Sequence, residues 1–236
     1  MRSIVCFLVV LGLTSAAHAH ALWLEPDEGG ARLFYGEFDE NLREASPGLL
    51  DRLAPPTAKA AADSKVLTVE KTATSFKITG DAGRDGVVAE QARVNERQQG
   101  DKVTRTYGFL GARYVPDLKE RTPVLVLDVV PGGKPGTFKV FYAGKPLPKA
   151  KLELIAESGW KREFHTDDQG AVGVSLPWRG AYVIEVEHLD AAAGGEGAGA
   201  YDRKRFVTAL SFRVTDGLEG PPAPPLTVPK RSAMTE

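Results

Sequence analysis

Val124-Leu125-Val126-Leu127-Asp128-Val129-Val130, closed by Pro131-Gly132-Gly133, opens the most regular part of the chain. A short apolar, β-branched run ending in turn residues reads as a strand. Six more such runs follow, Thr137–Tyr142, Lys151–Ala156, Lys161–Thr166, Ala171–Leu176, Tyr182–His188 and Phe206–Val214. Between them lie Ala143-Gly144-Lys145-Pro146, Glu157-Ser158-Gly159, Asp167-Asp168-Gln169-Gly170 and Trp178-Arg179-Gly180, whose Gly, Pro and Asp residues favour turn backbones. Strands recurring about every 8–12 residues predict an immunoglobulin-like or transthyretin-like β-sandwich.

Upstream the alternation is looser, and the break falls near Arg121-Thr122-Pro123. The chain therefore reads as mainly β, with two β-sandwich domains at residues 20–121 and 122–216 after a signal peptide at 1–19. In the first domain, Ala21–Leu24 and Ala31–Tyr35 flank the turn Asp27-Glu28-Gly29-Gly30, and Val66–Glu70 and Ser75–Thr79 form a second hairpin. Ser46-Pro47-Gly48 breaks the stretch Gly36–Arg52, with room for a short helix on either side. Ala58–Ala62 reads as a surface connection, Gln98–Thr104 as a polar loop, and Tyr107–Tyr114 as core. Leu189–Tyr201, rich in glycine and alanine, predicts a mobile loop, and residues 217–236, with five prolines, a disordered tail.

Arg2, the apolar run Ile4–Leu13 and Ala17-His18-Ala19 have the form of a secretory signal cut after Ala19. The product would start at His20 in the periplasm. Cutting after Ala17 would leave His18-Ala19-His20, and cutting after Ala21 would remove both histidines. Of 236 residues, Cys6 is the only cysteine and lies in the signal, so neither a disulfide nor a thiolate metal site is expected in the exported chain. With a net charge of −1, composition gives no reason to expect nucleic acid or an anionic membrane as partner. No later apolar run reaches the roughly 18 residues of a membrane span.

A chain that starts at His20 offers its α-amine and an imidazole from one residue, a chelating nitrogen pair. The other histidines of the exported chain are His165 and His188, both at strand ends where side chains can be displayed together. His20, His188 and His165 are the candidate metal ligands, with Glu37, Asp39, Asp167 or Asp190 as a possible acidic partner. Nitrogen-rich ligation favours nickel, cobalt, copper or zinc over calcium or magnesium. Against this, strand-end histidines are more often solvated or hydrogen-bonded. The acidic block Glu37–Glu44 suits a cation-binding rim, although a salt-bridged solvated face is the commoner meaning of such a run.

His20-Ala21-Leu22-Trp23-Leu24-Glu25-Pro26, Tyr35–Gly48, Gly144-Lys145-Pro146-Leu147, His165–Gly170 and Pro177-Trp178-Arg179-Gly180 resemble a secreted bacterial family of unknown function, often labelled a periplasmic component of cobalt or nickel transport. The second half is also similar to carboxypeptidase-regulatory and transthyretin-like modules. The resemblance implies a divalent transition-metal binding protein that serves a metal uptake system. The alternative is a non-catalytic envelope module for a glycan, peptide or protein partner, with Trp160 and Trp178 as candidate stacking platforms. A copper oxygenase built on an N-terminal histidine is a third, weaker idea. The sequence holds no Gly-x-Ser-x-Gly elbow, phosphate loop or His-Glu-x-x-His motif. The intact mass of the exported protein should correspond to a chain beginning at His20; a mass beginning at Leu22 would remove the chelating terminus.

Overall fold

The computed structural model describes residues 20–229, so the expected signal peptide and residues 230–236 lie outside the described residues. The described chain is mainly β. Its first part contains β1 (Ala21–Asp27), β2 (Gly30–Glu37), β3 (Leu42–Arg43), β4 (Thr57–Ala60), β5 (Val66–Lys71), β6 (Phe76–Thr79), β7 (Val87–Gln99) and β8 (Lys102–Tyr114). Its second part contains β9 (Leu127–Pro131), β10 (Thr137–Tyr142), β11 (Lys145–Pro146), β12 (Lys151–Ala156), β13 (Lys161–His165), β14 (Ala171–Gly173), β15 (Trp178–Asp190), β16 (Arg203–Val214) and β17 (Leu218–Glu219).

One long curled sheet runs β1-β2-β6-β5-β4-β7-β8-β16-β15-β12-β13, and a smaller sheet joins β9, β10, β11 and β14. The large sheet crosses the boundary expected near Arg121 through a parallel seam between β8 and β16, from Thr106↔Arg203 to Tyr114↔Ser211. At its other end the sheet curls so that β1 returns over the seam, where the Leu24 N–H donates to Ser211 Oγ at 3.2 Å.

Side-chain alternation turns this curl into layers, because successive residues of a strand face opposite sides. Leu22, Leu24, Leu33, Ile78 and Ala112 fill the inside of the curl. Trp23, Phe34 and Phe38, on the outer face of β1–β2, pack on Ile155, Val183 and Ala209 of β12, β15 and β16. The opposite face of those three strands contributes Leu154, Ile184 and Leu210 to a core shared with Leu127, Val129, Phe138 and Val140 of the small sheet. The strands β12, β15 and β16 are thus covered on both sides.

A buried ion pair joins the large sheet to the small one. Arg113 Nη1 on β8 lies 2.7 Å from Asp128 Oδ2 on β9, with side chains 1% and 0% exposed. The same guanidinium nitrogen donates to the Thr122 carbonyl, and the amides of Val124 and Leu125 donate to Asp128 Oδ2. Burial pushes the Asp128 carboxyl up, and Arg113 with the two amides pulls it back.

Several local expectations change. Gln98–Thr104 is the tip of the β7–β8 hairpin; its residues are mostly exposed, so no apolar alternation marked it. Ala58–Ala62 contains β4, with Ala58 and Ala60 buried. The predicted strand at Val124–Val130 is Leu127–Pro131, since residues 124 and 125 are spent capping Asp128. The segment expected to be a disordered tail is docked as far as Pro229. Leu218–Glu219 pairs with Trp178–Arg179, and Thr227 exchanges backbone bonds of 3.0 and 2.9 Å with Asn41 and Arg43. Prolines lack an N–H but keep their carbonyls, and Pro224 O accepts from Asn41 Nδ2 at 2.9 Å.

Asp128→Ala leaves a buried guanidinium without its counter-charge, and urea unfolding should show a loss of about 3–5 kcal/mol. Replacing both partners, Arg113→Met with Asp128→Leu, should cost less than Asp128→Ala alone.

Candidate functional site

Position 20 lies one residue before β1, where backbone pairing of Ala21 with Gly36 sets it beside the end of β2. The imidazole rests near the Tyr35 ring, 5.2 Å between centroids, and both ring nitrogens face carboxylates. Nε2 is 2.7 Å from Glu44 Oε1 and Nδ1 is 3.3 Å from Glu37 Oε1. Glu44 is held in place by its own amide, which donates to the Tyr35 carbonyl at 2.8 Å, and its side chain is 6% exposed.

This arrangement is electrostatically incomplete for a neutral imidazole. If Nε2–H donates to Glu44, then Nδ1 carries a lone pair that faces a second acceptor, Glu37. A proton on Nδ1 or a cation between Nδ1 and Glu37 resolves that clash. Two ligand atoms each about 2.0–2.1 Å from a tetrahedral ion stand roughly 3.3–3.4 Å apart, the spacing observed between Nδ1 and Oε1.

Glu37 also lines a neighbouring cleft of about 590 Å³ between the end of β2 and the sheet face of β12 and β15. Asp39, Glu153, Glu185, Lys161 and Ile155 are among its walls. One wall depends on Gly159, whose φ of +80° and close approach leave no room for a side chain: a Cβ there would lie 2.5 Å from the Asp39 carbonyl. Across this contact Lys161 Nζ reaches Asp39 Oδ2 at 2.6 Å.

Glu153 and Glu185 are directly opposed across the β12–β15 ladder. Like charges in that position repel. Protein atoms crowd Glu185, which remains partly exposed and lines the cleft. Its carboxyl is pushed up to about 8, first by desolvation, then by Asp39 and Glu153, with Lys161 offsetting part of the effect.

The three candidate histidines have separate settings. His165 is 56% exposed at the end of β13, with Nε2 3.7 Å from Glu163. It pairs with Lys151, whereas His188 falls on the alternate face, that of Val186 and Leu152. His165 and His188 therefore project from opposite faces of the sheet. The ring of His188 lies 4.3 Å from Tyr142, whose hydroxyl donates to Asp190 at 2.7 Å. Burial and that carboxylate push the Tyr142 hydroxyl up to about 12. Among the described residues, no two of the histidines share a carboxylate partner, and no group of three or more His, Cys, Asp or Glu side chains is arranged to hold a metal ion unaided. Asp167 accepts three backbone bonds within its own turn, from Gln169, Ala171 and Gly170. Trp160 and Trp178 pack edge to face, 5.3 Å apart.

Sequence reasoning reached Glu44 only as the end of the acidic block Glu37–Glu44 and passed over Glu153 and Glu185. One signal was available: Glu185 interrupts Tyr182–Val186, a run apolar on both faces, where a lone acid is conspicuous. Comparison with protein-family models, with curated proteins and with solved structures finds no match for the chain.

Because Glu185 holds its proton more tightly when folded, its burden on stability is absent at low pH and grows as pH rises from the ordinary glutamate range through about 8. Glu185→Gln should therefore stabilise the protein at pH 9, on the order of a few kcal/mol, and make little difference at pH 4. Thermal unfolding at the two pH values reads this directly.

Proposed function

We propose that the exported chain, cut after Ala19, binds one divalent transition-metal ion at its new N-terminus and serves metal uptake or homeostasis in the periplasm. The ligands are the α-amine and Nδ1 of His20 together with a carboxylate oxygen of Glu37. Glu44 accepts from Nε2–H and fixes the tautomer that leaves Nδ1 free, the usual role of a carboxylate behind a metal-bound histidine. The observation that carries this is the pair of acceptors facing each other at Nδ1 and Glu37 Oε1, 3.3 Å apart. Two nitrogens and one oxygen suit copper, nickel, cobalt or zinc. His165 and His188, the other candidates, are not in this ligand set.

An amine–imidazole chelate competes with protons, so affinity for Cu(II) or Ni(II) should fall steeply between pH 8 and pH 5. Calorimetry on the mature chain provides the test. One alanine added ahead of His20 keeps every side chain but breaks the chelate, and should weaken binding at least about tenfold. Glu44→Gln should cost about 10–100-fold, and His165→Ala should change nothing. Unchanged affinity in the extended chain refutes the proposal.

A further inference from the structure

The cleft beside His20 has features that a single metal ion does not account for. Its volume of about 590 Å³ falls in the range of small-molecule sites rather than that of an ion. Its walls are mixed: Val207, Leu147 and the exposed Leu189 give apolar surface, and Glu37, Asp39, Glu153, Glu185 and Glu187 give acid.

The bases nearby bond other acids, although Lys161 also attracts Glu185. Lys161 bonds Asp39 at 2.6 Å, Lys151 bonds Glu163 at 2.6 Å, and Arg205 takes both oxygens of Glu187 at 2.9 and 2.7 Å. That leaves Glu153 and Glu185, opposed across the ladder, as the two carboxylates of the cleft with no ion pair within 4 Å among the described residues. Both are half-buried and line the cleft.

A cross-strand pair of acids costs stability where it stands. It has a chemical use if a cation sits between the two. An ammonium group brings three N–H donors, enough to bond Glu153, Glu185 and one further acceptor such as Glu37. An alkyl chain behind it would run past Val207 toward the exposed Leu189, which a bare ion would leave unused. Carboxylates this close to apolar surface bind such a group more strongly than exposed ones, because both the charge and the chain leave water.

We propose that this cleft is a binding site for a primary alkylammonium group, with the nitrogen held between Glu153 and Glu185 and the carbon chain running past Val207 toward Leu189. The group is carried either by a free diamine or by the lysine side chain of a peptide. The site does not require the metal: it is built from β12, β15 and the end of β2, and only Glu37 borders both.

The test uses the mature chain in the presence of a chelator, so that failure of the metal reading leaves it intact. Calorimetric titration at pH 9, where Glu185 as well as Glu153 is ionised, with 1,5-diaminopentane, and separately with a short lysine-containing peptide blocked at both ends, distinguishes the two sources. At least one should bind at submillimolar concentration. Glu153→Gln and Glu185→Gln should each weaken it by at least tenfold while the protein stays folded, as both remove a like-charge contact. Tetramethylammonium, a cation without N–H donors, and 1-pentanol, a chain without charge, should not compete. Equal binding by wild type and both glutamine variants, or no binding of diamine and peptide at 10 mM, overturns the proposal.

Discussion

Arg113 and Asp128 form the contact on which the two-sheet arrangement depends. One residue stands on β8, the strand that carries the seam of the large sheet, and the other on β9, the first strand of the small sheet. Burying two charges is unfavourable unless the geometry satisfies them; here Thr122 O and the amides of Val124 and Leu125 serve Arg113 Nη1 and Asp128 Oδ2, while Arg113 Nε and Asp128 Oδ1 have no hydrogen-bond partner among the described residues. Its consequence is positional. The segment that leaves β8 is drawn back across the sheet, so the small sheet must cover the face of β12, β15 and β16 that carries Leu154, Ile184 and Leu210.

With that face covered, the curl of the large sheet decides what happens to the other. Trp23, Phe34 and Phe38 close over Ile155, Val183 and Ala209, but the apolar contact ends there. Beyond it β12 and β15 present Glu153 and Glu185 to the space left between the layers. The cleft is thus a by-product of the large sheet curling back on itself, and its acids sit where packing stops. His20 stands at its margin because β1 is the edge strand and begins one residue later.

The strands of the second half were legible because most have a buried face, β13 being exposed, and because turns with Gly, Pro or Asp separate most neighbours. Their partners were not. Nothing local in Arg203–Val214 says that it pairs in parallel with a strand about a hundred residues earlier, since long-range pairing is set by which faces must be buried. Exposed strands such as the β7–β8 tip lacked the period that identifies strands, and the proline-rich tail lacked donors, so its docking through carbonyls left no pattern. At the site, His20 was visible from the export signal and Glu37 from the acidic block. Glu44 closes the same block, but its role was not legible, because that role comes from the turn that brings residue 44 back against Tyr35. The spacing of His165 and His188 at strand ends was suggestive, but alternation sends them to opposite faces.

The central claim is that the N-terminal residue itself is the metal ligand, with a carboxylate and no second histidine. Pulsed electron paramagnetic resonance of the mature chain loaded with one equivalent of Cu(II) counts coordinated imidazoles through their remote nitrogens. One imidazole, with an additional directly bound amine nitrogen, is the predicted spectrum. Two or three imidazoles would show that His165 or His188 joins the ion after all, and none would show that the copper sits elsewhere.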